Sequence, residues 1–311
     1  MAMKRILVGL DGSALAETVL GTVRELARRV GADVLLAHVT HVPASFRAEA
    51  DLSLDEVVAR ERRDAESYLR RLARELGEAG VTVRTVVAAG DPATEIVRMA
   101  DGEGVDLVAL ATHGRSGMQR WLHGSVADAV LHATTRPLLL FRPTLEATRA
   151  AAYAVQRVIV PLDGSPLAEE ALPLARELAR ALEVPLELLR VVELLDLAFA
   201  ADPYGGFYLD YPRVVQALEE GATTYLAAAA ERERRHGLTV ETTMVTGAAA
   251  DAIAHHVKAR SGGLLVLGTH GRSGWRAAVI GSVARRVTLL AETPVLLVRP
   301  AAAEGGAEKR S

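Results

Sequence analysis

No cysteine occurs among the 311 residues, which excludes a disulfide frame, thiol chemistry and a thiolate metal site. Charge of one sign is also lacking. A net charge of −3 gives no field that would gather nucleic acid or an anionic membrane surface, so any phosphate-bearing partner has to be met by local groups. No stretch approaches the ~20 apolar residues of a membrane span, and the start, Met1 to Gly9, carries no signal-peptide cleavage pattern. A cytoplasmic protein is the expectation. The Gly-x4-Gly-Lys-Ser/Thr of P-loop hydrolases and the Gly-x-Ser-x-Gly nucleophile elbow are both missing. What is present is apolar: half the residues are hydrophobic, and a domain of ~150 residues buries about two-thirds of its unfolded surface, enough for a core of its own.

The dominant feature is a duplication. Arg5-Ile6-Leu7-Val8-Gly9-Leu10-Asp11-Gly12-Ser13 returns 152 residues later as Arg157-Val158-Ile159-Val160-Pro161-Leu162-Asp163-Gly164-Ser165. Ala111-Thr112-His113-Gly114-Arg115-Ser116-Gly117, running on to Gly124-Ser125-Val126-Ala127, returns at an offset of 157 as Gly268-Thr269-His270-Gly271-Arg272-Ser273-Gly274, running on to Gly281-Ser282-Val283-Ala284. The strands Pro137 to Pro143 and Pro294 to Pro300 share that second offset, so the later copy has gained five residues in its middle, around the aromatic-rich stretch Tyr204 to Pro212. The reading is two domains, 1–145 and 154–301, with Thr144 to Gln156 as linker and a disordered tail at 302–311.

Each half alternates strand and helix signals. In the first, Ile6 to Leu10 reads as a buried strand, and Ser13 caps a helix whose apolar residues Leu15, Val19, Leu20, Val23, Leu26 and Val30 keep the 3.6 period. A strand at Asp33 to Thr40, a helix from Leu54 to Gly77, a strand at Val81 to Ala88, a helix from Pro92, a strand at Val105 to Ala111, a helix from Ser125 and a strand at Pro137 to Arg142 follow. Five strands separated by helices imply an α/β fold: two tandem, doubly wound, five-stranded parallel-sheet domains, Rossmann-like. With strand order 3-2-1-4-5, the loops after strands one and four meet where the order reverses, the place such sheets keep for a ligand.

Those loops carry the chemistry. Glycines ending in Gly-Ser, between an apolar strand and a helix, let backbone approach a phosphate and aim N–H groups at it. Gly124-Ser125 and Gly281-Ser282 fall at helix starts, where the dipole favours anions. Arg115, Arg120, Arg272 and Arg276 are placed to neutralise phosphate, or are solvated surface charges. His113 and His270 read as braces of the loop, since no nucleophile or acid stands at a fixed short spacing. Asp11 and Asp163 face the loop in both copies; Asp-Gly-Ser is also sound turn and cap chemistry with no ligand. The adjacent His255 and His256 point about 100° apart on a helix and show no metal-site spacing. The segments Val42 to Ser53 and Leu195 to Pro212 read as loops over the crevices.

On these residues both halves resemble the universal stress protein family, whose nucleotide-binding members carry Gly-x2-Gly-x9-Gly-Ser/Thr after the fourth strand. Gly268, Gly271, Gly281 and Ser282 match in full; in the first half Ala111 stands where the family has glycine, and Gly114, Gly124 and Ser125 match. The resemblance runs from Lys4 to Pro300. It implies ATP as ligand, with Mg2+ arriving on the nucleotide, and these roles: Asp11 and Asp163 beside the adenosine, Val39 and Val191 against the base, and the loop and first helical turn, including Val126 and Val283, around the triphosphate. It also implies pairing through the last strand, so that the halves dock on each other, with a homodimer of whole chains as a further expectation. The expected function is a stress-response module that holds ATP and signals; the alternatives are a slow ATPase or nucleotide-transferring enzyme and a scaffold without a ligand.

Overall fold

The computed structural model describes residues 3–40, 54–112, 124–142, 153–193, 211–269 and 280–299. The first half comprises β1 (Arg5–Leu10), α1 (Ala14–Glu17), α2 (Val19–Val30), β2 (Asp33–Thr40), α3 (Leu54–Glu78), β3 (Val83–Ala89), α4 (Pro92–Gly102), β4 (Leu107–Ala111), α5 (Ser125–Ala133) and β5 (Leu138–Phe141). The second repeats it as β6 (Arg157–Pro161), α6 (Pro166–Glu169), α7 (Leu172–Leu182), β7 (Leu186–Val192), α8 (Tyr211–Arg234), β8 (Val240–Thr246), α9 (Ala249–Ala259), β9 (Gly263–Gly268), α10 (Ser282–Leu290) and β10 (Val295–Val298).

The expected strand order is found in each half, and the halves join into one sheet ordered β3-β2-β1-β4-β5-β10-β9-β6-β7-β8. Central strands such as β1 and β5 are buried along their length, which is why they read as unbroken apolar runs. The outermost strands β3 and β8 are partly exposed instead, at Arg84, Thr85 and Ala89 and at Glu241, Thr242 and Thr246. Every described pairing is parallel except β5 with β10, where Leu138, Leu139 and Leu140 lie opposite Leu297, Leu296 and Val295. Two apolar cores, one on each face of the sheet, both cross that seam. Arg142, just past β5, donates to the Leu289 carbonyl at the end of α10, and Arg299, just past β10, donates to the Leu131 carbonyl at the end of α5. Each guanidinium thus serves a carbonyl that helix geometry leaves without an intrahelical donor. Tyr153 adds an edge contact to Phe141 at 6.1 Å and a hydrogen bond to the Gly263 carbonyl at 2.7 Å.

Two sequence readings are corrected. The helix after Ser13 is broken: Thr18 turns both its N–H and its hydroxyl back to the Leu15 carbonyl, at 3.3 and 2.6 Å. That i−3 bonding interrupts the i−4 ladder between α1 and α2. Tyr211 and Pro212 open α8 rather than closing a loop, and a proline in a first turn has no N–H to waste. The remaining loop residues of both crevice-covering segments, most of the linker and the tail lie outside the described residues. Among the described residues no helix is long and apolar enough to cross a membrane.

The turn after the first strand is identical in both halves. Gly12 and Gly164 each sit at φ +82°, a region costly for any side chain, and Ser13 and Ser165 cap the next helix by accepting the N–H of Ala16 and Ala168 at 3.1 Å. Ser165→Ala is expected to cost about 1 kcal/mol in urea denaturation; an unchanged midpoint would show that this cap contributes nothing.

Candidate functional site

The C-terminal ends of β6, β7 and β9 and the start of α10 enclose a cavity of about 430 Å³ in the second half. Strand order explains the location: β6 and β9 are neighbours whose following chains leave on different sides, which opens a crevice between them. Of the residues singled out by sequence, Asp163, Val191, Gly268, Gly281, Ser282 and Val283 all line it. His270, Gly271, Arg272 and Arg276 lie outside the described residues. In the first half the same topology sets Asp11 after β1, Val39 on β2, and Ala111 and Gly124-Ser125-Val126 around the end of β4. His113, Gly114, Arg115 and Arg120 lie outside the described residues there.

The backbone around the glycine loop is specific. The loop leaves after Thr269, whose N–H is held by the Val298 carbonyl at 2.9 Å, and returns at Gly281, whose N–H bonds to the Thr269 carbonyl at 2.7 Å. The first half has the same neck: the Thr112 N–H is held by Phe141, and the Gly124 N–H donates to Thr112. The glycine amides are therefore spent on closing the neck. What α10 presents to the cavity is its first turn, Ser282, Val283 and Ala284, whose N–H groups precede the intrahelical ladder. Among the described residues no side chain caps α10 or α5, whereas α1, α4 and α6 are capped by Ser13, Asp91 and Ser165. The free N–H groups and dipole of a helix start at the mouth of a cavity favour a negative group there.

Glycine is not needed at the neck for its backbone freedom. Gly281 and Gly124 sit at φ −58°, open to any residue. Gly268 ends β9 in strand conformation, which alanine adopts equally well. The methyl of Ala111 thus changes the room in the first crevice and not its backbone.

The aspartates do two things at once. Asp163 Oδ1 accepts the Ser165 N–H at 2.9 Å, and Asp11 Oδ1 accepts both the N–H and the hydroxyl of Ser13, at 2.9 and 2.6 Å. Each carboxylate shapes the turn while standing at the crevice.

Several lining residues escaped the sequence reading. Arg190, on β7 beside Val191, donates to the Leu162 carbonyl at 3.0 Å and lies over the Tyr225 ring at 5.7 Å. Burial, with the Glu169 carboxylate it donates to at 2.7 Å, pushes the Tyr225 phenol well above its ordinary range. The first half has His38 in place of Arg190, edge-on to Tyr68 at 6.0 Å. Glu193 accepts the Ala249 N–H at 2.7 Å and so serves the start of α9 across the crevice, a task Asp91 performs locally for α4. Leu218 and Val283, 42% and 38% exposed, form an apolar lip. Of these, Arg190 alone left a signal, as one of two charges, with Glu187, in the otherwise apolar strand Leu186 to Val192; the other contacts cross between elements far apart in sequence.

Comparison with known proteins gives a consistent answer. The profile described as the Universal stress protein family matches twice, over residues 3–142 and 154–299. A universal stress protein of Mycolicibacterium smegmatis is 28% identical over 306 residues, 95% of this chain and 97% of its own. Universal stress protein MJ0577 of Methanocaldococcus jannaschii is 26% identical over 153 residues, 45% of this chain and 94% of its own. Among solved structures, the crystal structure of a universal stress protein from Archaeoglobus fulgidus DSM 4304 superposes with a TM-score of 0.67 at 19% identity, covering 96% of each chain. That last likeness is one of fold.

Proposed function

Because the chain belongs to the universal stress protein family in both of its halves, we propose that it is a tandem ATP-holding signalling module whose second crevice grips the triphosphate with main-chain amides. The observation that carries this is the uncapped first turn of α10 opening into a cavity of about 430 Å³ that also contains Asp163 and Val191. In this reading the triphosphate lies against Ser282 and Val283, the Gly268-to-Gly281 neck lets it approach, and the adenosine lies between Asp163 and Val191. Mg2+ comes with the nucleotide. Asp11, Val39, Ala111, Gly124, Ser125 and Val126 form the corresponding site of the first half, and the cytoplasm, where ATP is supplied, is the compartment. No residue is assigned a catalytic role; the chain signals by its occupied or empty state.

Nucleotide content per chain tests this, measured after purification and by calorimetric titration of ATP into stripped protein. Loss from Gly281→Val and not from Gly124→Val confines binding to the second half. Unchanged content in both variants, or no heat at millimolar ATP from folded protein, removes the proposal. Steady release of ADP by the wild type converts the reading to an enzyme.

A further inference from the structure

The helices α2 and α7 occupy the same place in the two halves, yet their arginines meet different fates. On α7, Arg176 holds the buried Glu233 carboxylate through Nε and Nη2 at 2.7 and 2.9 Å, and Arg180 donates to the His236 carbonyl at 2.6 Å. Their counterparts on α2 are Arg24 and Arg28, and where Glu233 and His236 stand the first half has Leu76 and Ala79. Among the described residues neither Arg24 nor Arg28 has a hydrogen bond or ion pair. A third guanidinium, Arg29, lies 3.6 Å from Glu183 across the seam. These side chains surround a cavity of about 400 Å³, bounded by Gly21, Arg24, Glu25, Arg28, Arg29 and Ala154. Among the described residues Glu25 is the one acid of the ring, and its carboxylate accepts the Val155 N–H at 3.0 Å.

Arg28 and Arg29 fall in the last turn of α2, where the helix dipole favours them without any ligand. Arg24 is a full turn earlier and half-buried, and the dipole gives it nothing. Spaced i and i+4, Arg24 and Arg28 share one helix face, and guanidinium forks match phosphate oxygens two at a time. The cavity is at the small end of ligand pockets. We propose that this junction cavity binds a compact phosphate-bearing small molecule, of about the size of a diphosphate, gripped by Arg24 and Arg28. Its position ties α2 of the first half to the segment Ala154-Val155 that leads into β6, so the ligand stiffens the joint between halves. The assignment is independent of any nucleotide in the crevices.

The test titrates inorganic pyrophosphate into the full chain by calorimetry at about 0.15 M salt, where diffuse attraction is largely screened. Pyrophosphate affinity is expected to fall at least tenfold in Arg24→Gln/Arg28→Gln and to persist in Gly124→Val/Gly281→Val. The converse pattern assigns the heat to the crevices and overturns the proposal, as does an absence of heat. Equal affinity for pyrophosphate, sulfate and citrate marks nonspecific attraction and overturns it too. If the double variant fails to fold, Arg28→Gln alone, at an exposed position, is expected to give a threefold or greater loss, and an unchanged affinity there counts against the site.

Discussion

Ser282→Asp is expected to move stability and binding in opposite directions. The bare first turn of α10 prefers a negative group, so a carboxylate at its first residue stabilises the ligand-free second half by about 0.3 to 1 kcal/mol. In a thermal scan this appears as a rise of about 1 to 3 °C for a domain of this size. The same carboxylate occupies the place proposed for the triphosphate. Two unit charges about 4 Å apart repel by about 4 kcal/mol at an effective dielectric of 20, which lowers ATP affinity in that crevice by about three orders of magnitude. Ser282→Ala, which loses only a hydroxyl, is expected to cost less than tenfold. An anion site has to show both signs together. Undiminished ATP binding by a folded Ser282→Asp protein would place the phosphate elsewhere.

The second large effect concerns a charge cluster at the opposite end of the second half's strands from the crevice. Glu187 on β7 is fully buried, and its Oε1 meets Thr243 of β8 and His256 of α9, each at 2.7 Å. Arg157 of β6 approaches it at 3.5 Å while pairing with Glu241 at 3.0 Å, and Arg260 lies 3.9 Å from Glu241. At the three equivalent positions the first half has Leu35, Val86 and Met99, all packed in the core of that face. One chain thus contains both solutions to the same site. His256→Ala leaves a buried carboxylate short of a partner and is expected to cost about 3 kcal/mol, the low end for such a loss, because Thr243 and Arg157 remain. The triple change Glu187→Leu, Thr243→Val, His256→Met copies the first half and is expected to be neutral or to stabilise by about 1 to 4 kcal/mol. Chemical denaturation of the three proteins decides it; a triple variant weaker than His256→Ala would refute the comparison.

The cluster also sets an acid limit. Burial pushes the Glu187 carboxyl up, but the hydrogen bonds from Thr243 and His256, together with the charges of His256 and Arg260, more than reverse it, and the group titrates below its ordinary 4.5. Because the folded value lies under the unfolded one, this contribution is complete above about pH 5 and is lost as the pH falls through the folded value. Between about pH 5 and 3 the wild type is expected to lose stability more steeply than the triple variant.

These cases show what the sequence could and could not convey. The strands were legible because parallel strands buried on both faces leave apolar runs such as Leu138 to Phe141, and the duplication doubled every signal; their order followed from the doubly wound pattern, and the seam from the family resemblance. The glycine loops marked the crevice for the same reason. Lost to inspection were contacts made at a distance in sequence: Glu193 serving the start of α9, Arg190 stacked on Tyr225, and His256 meeting Glu187, 69 residues away. Adjacent histidines at 255 and 256 gave no hint that one is nearly enclosed. The amides of Gly124 and Gly281, expected to face the phosphate, are taken by the loop neck, because whether an N–H is spent depends on which carbonyl the returning chain finds. Residue identity pointed to the strand ends around the second-half cavity; only the path of the backbone shows which N–H groups are already spent.

Within each half every described strand runs the same way, and β5 meets β10 head to tail. The C-terminal strand ends of the two halves accordingly lie at opposite rims of a single ten-stranded sheet, the second-half cavity at one of them. Under the proposed reading, a partner of the first half would leave the second accessible, and a chain engaged at both rims would hold two clients apart by about the length of its strands.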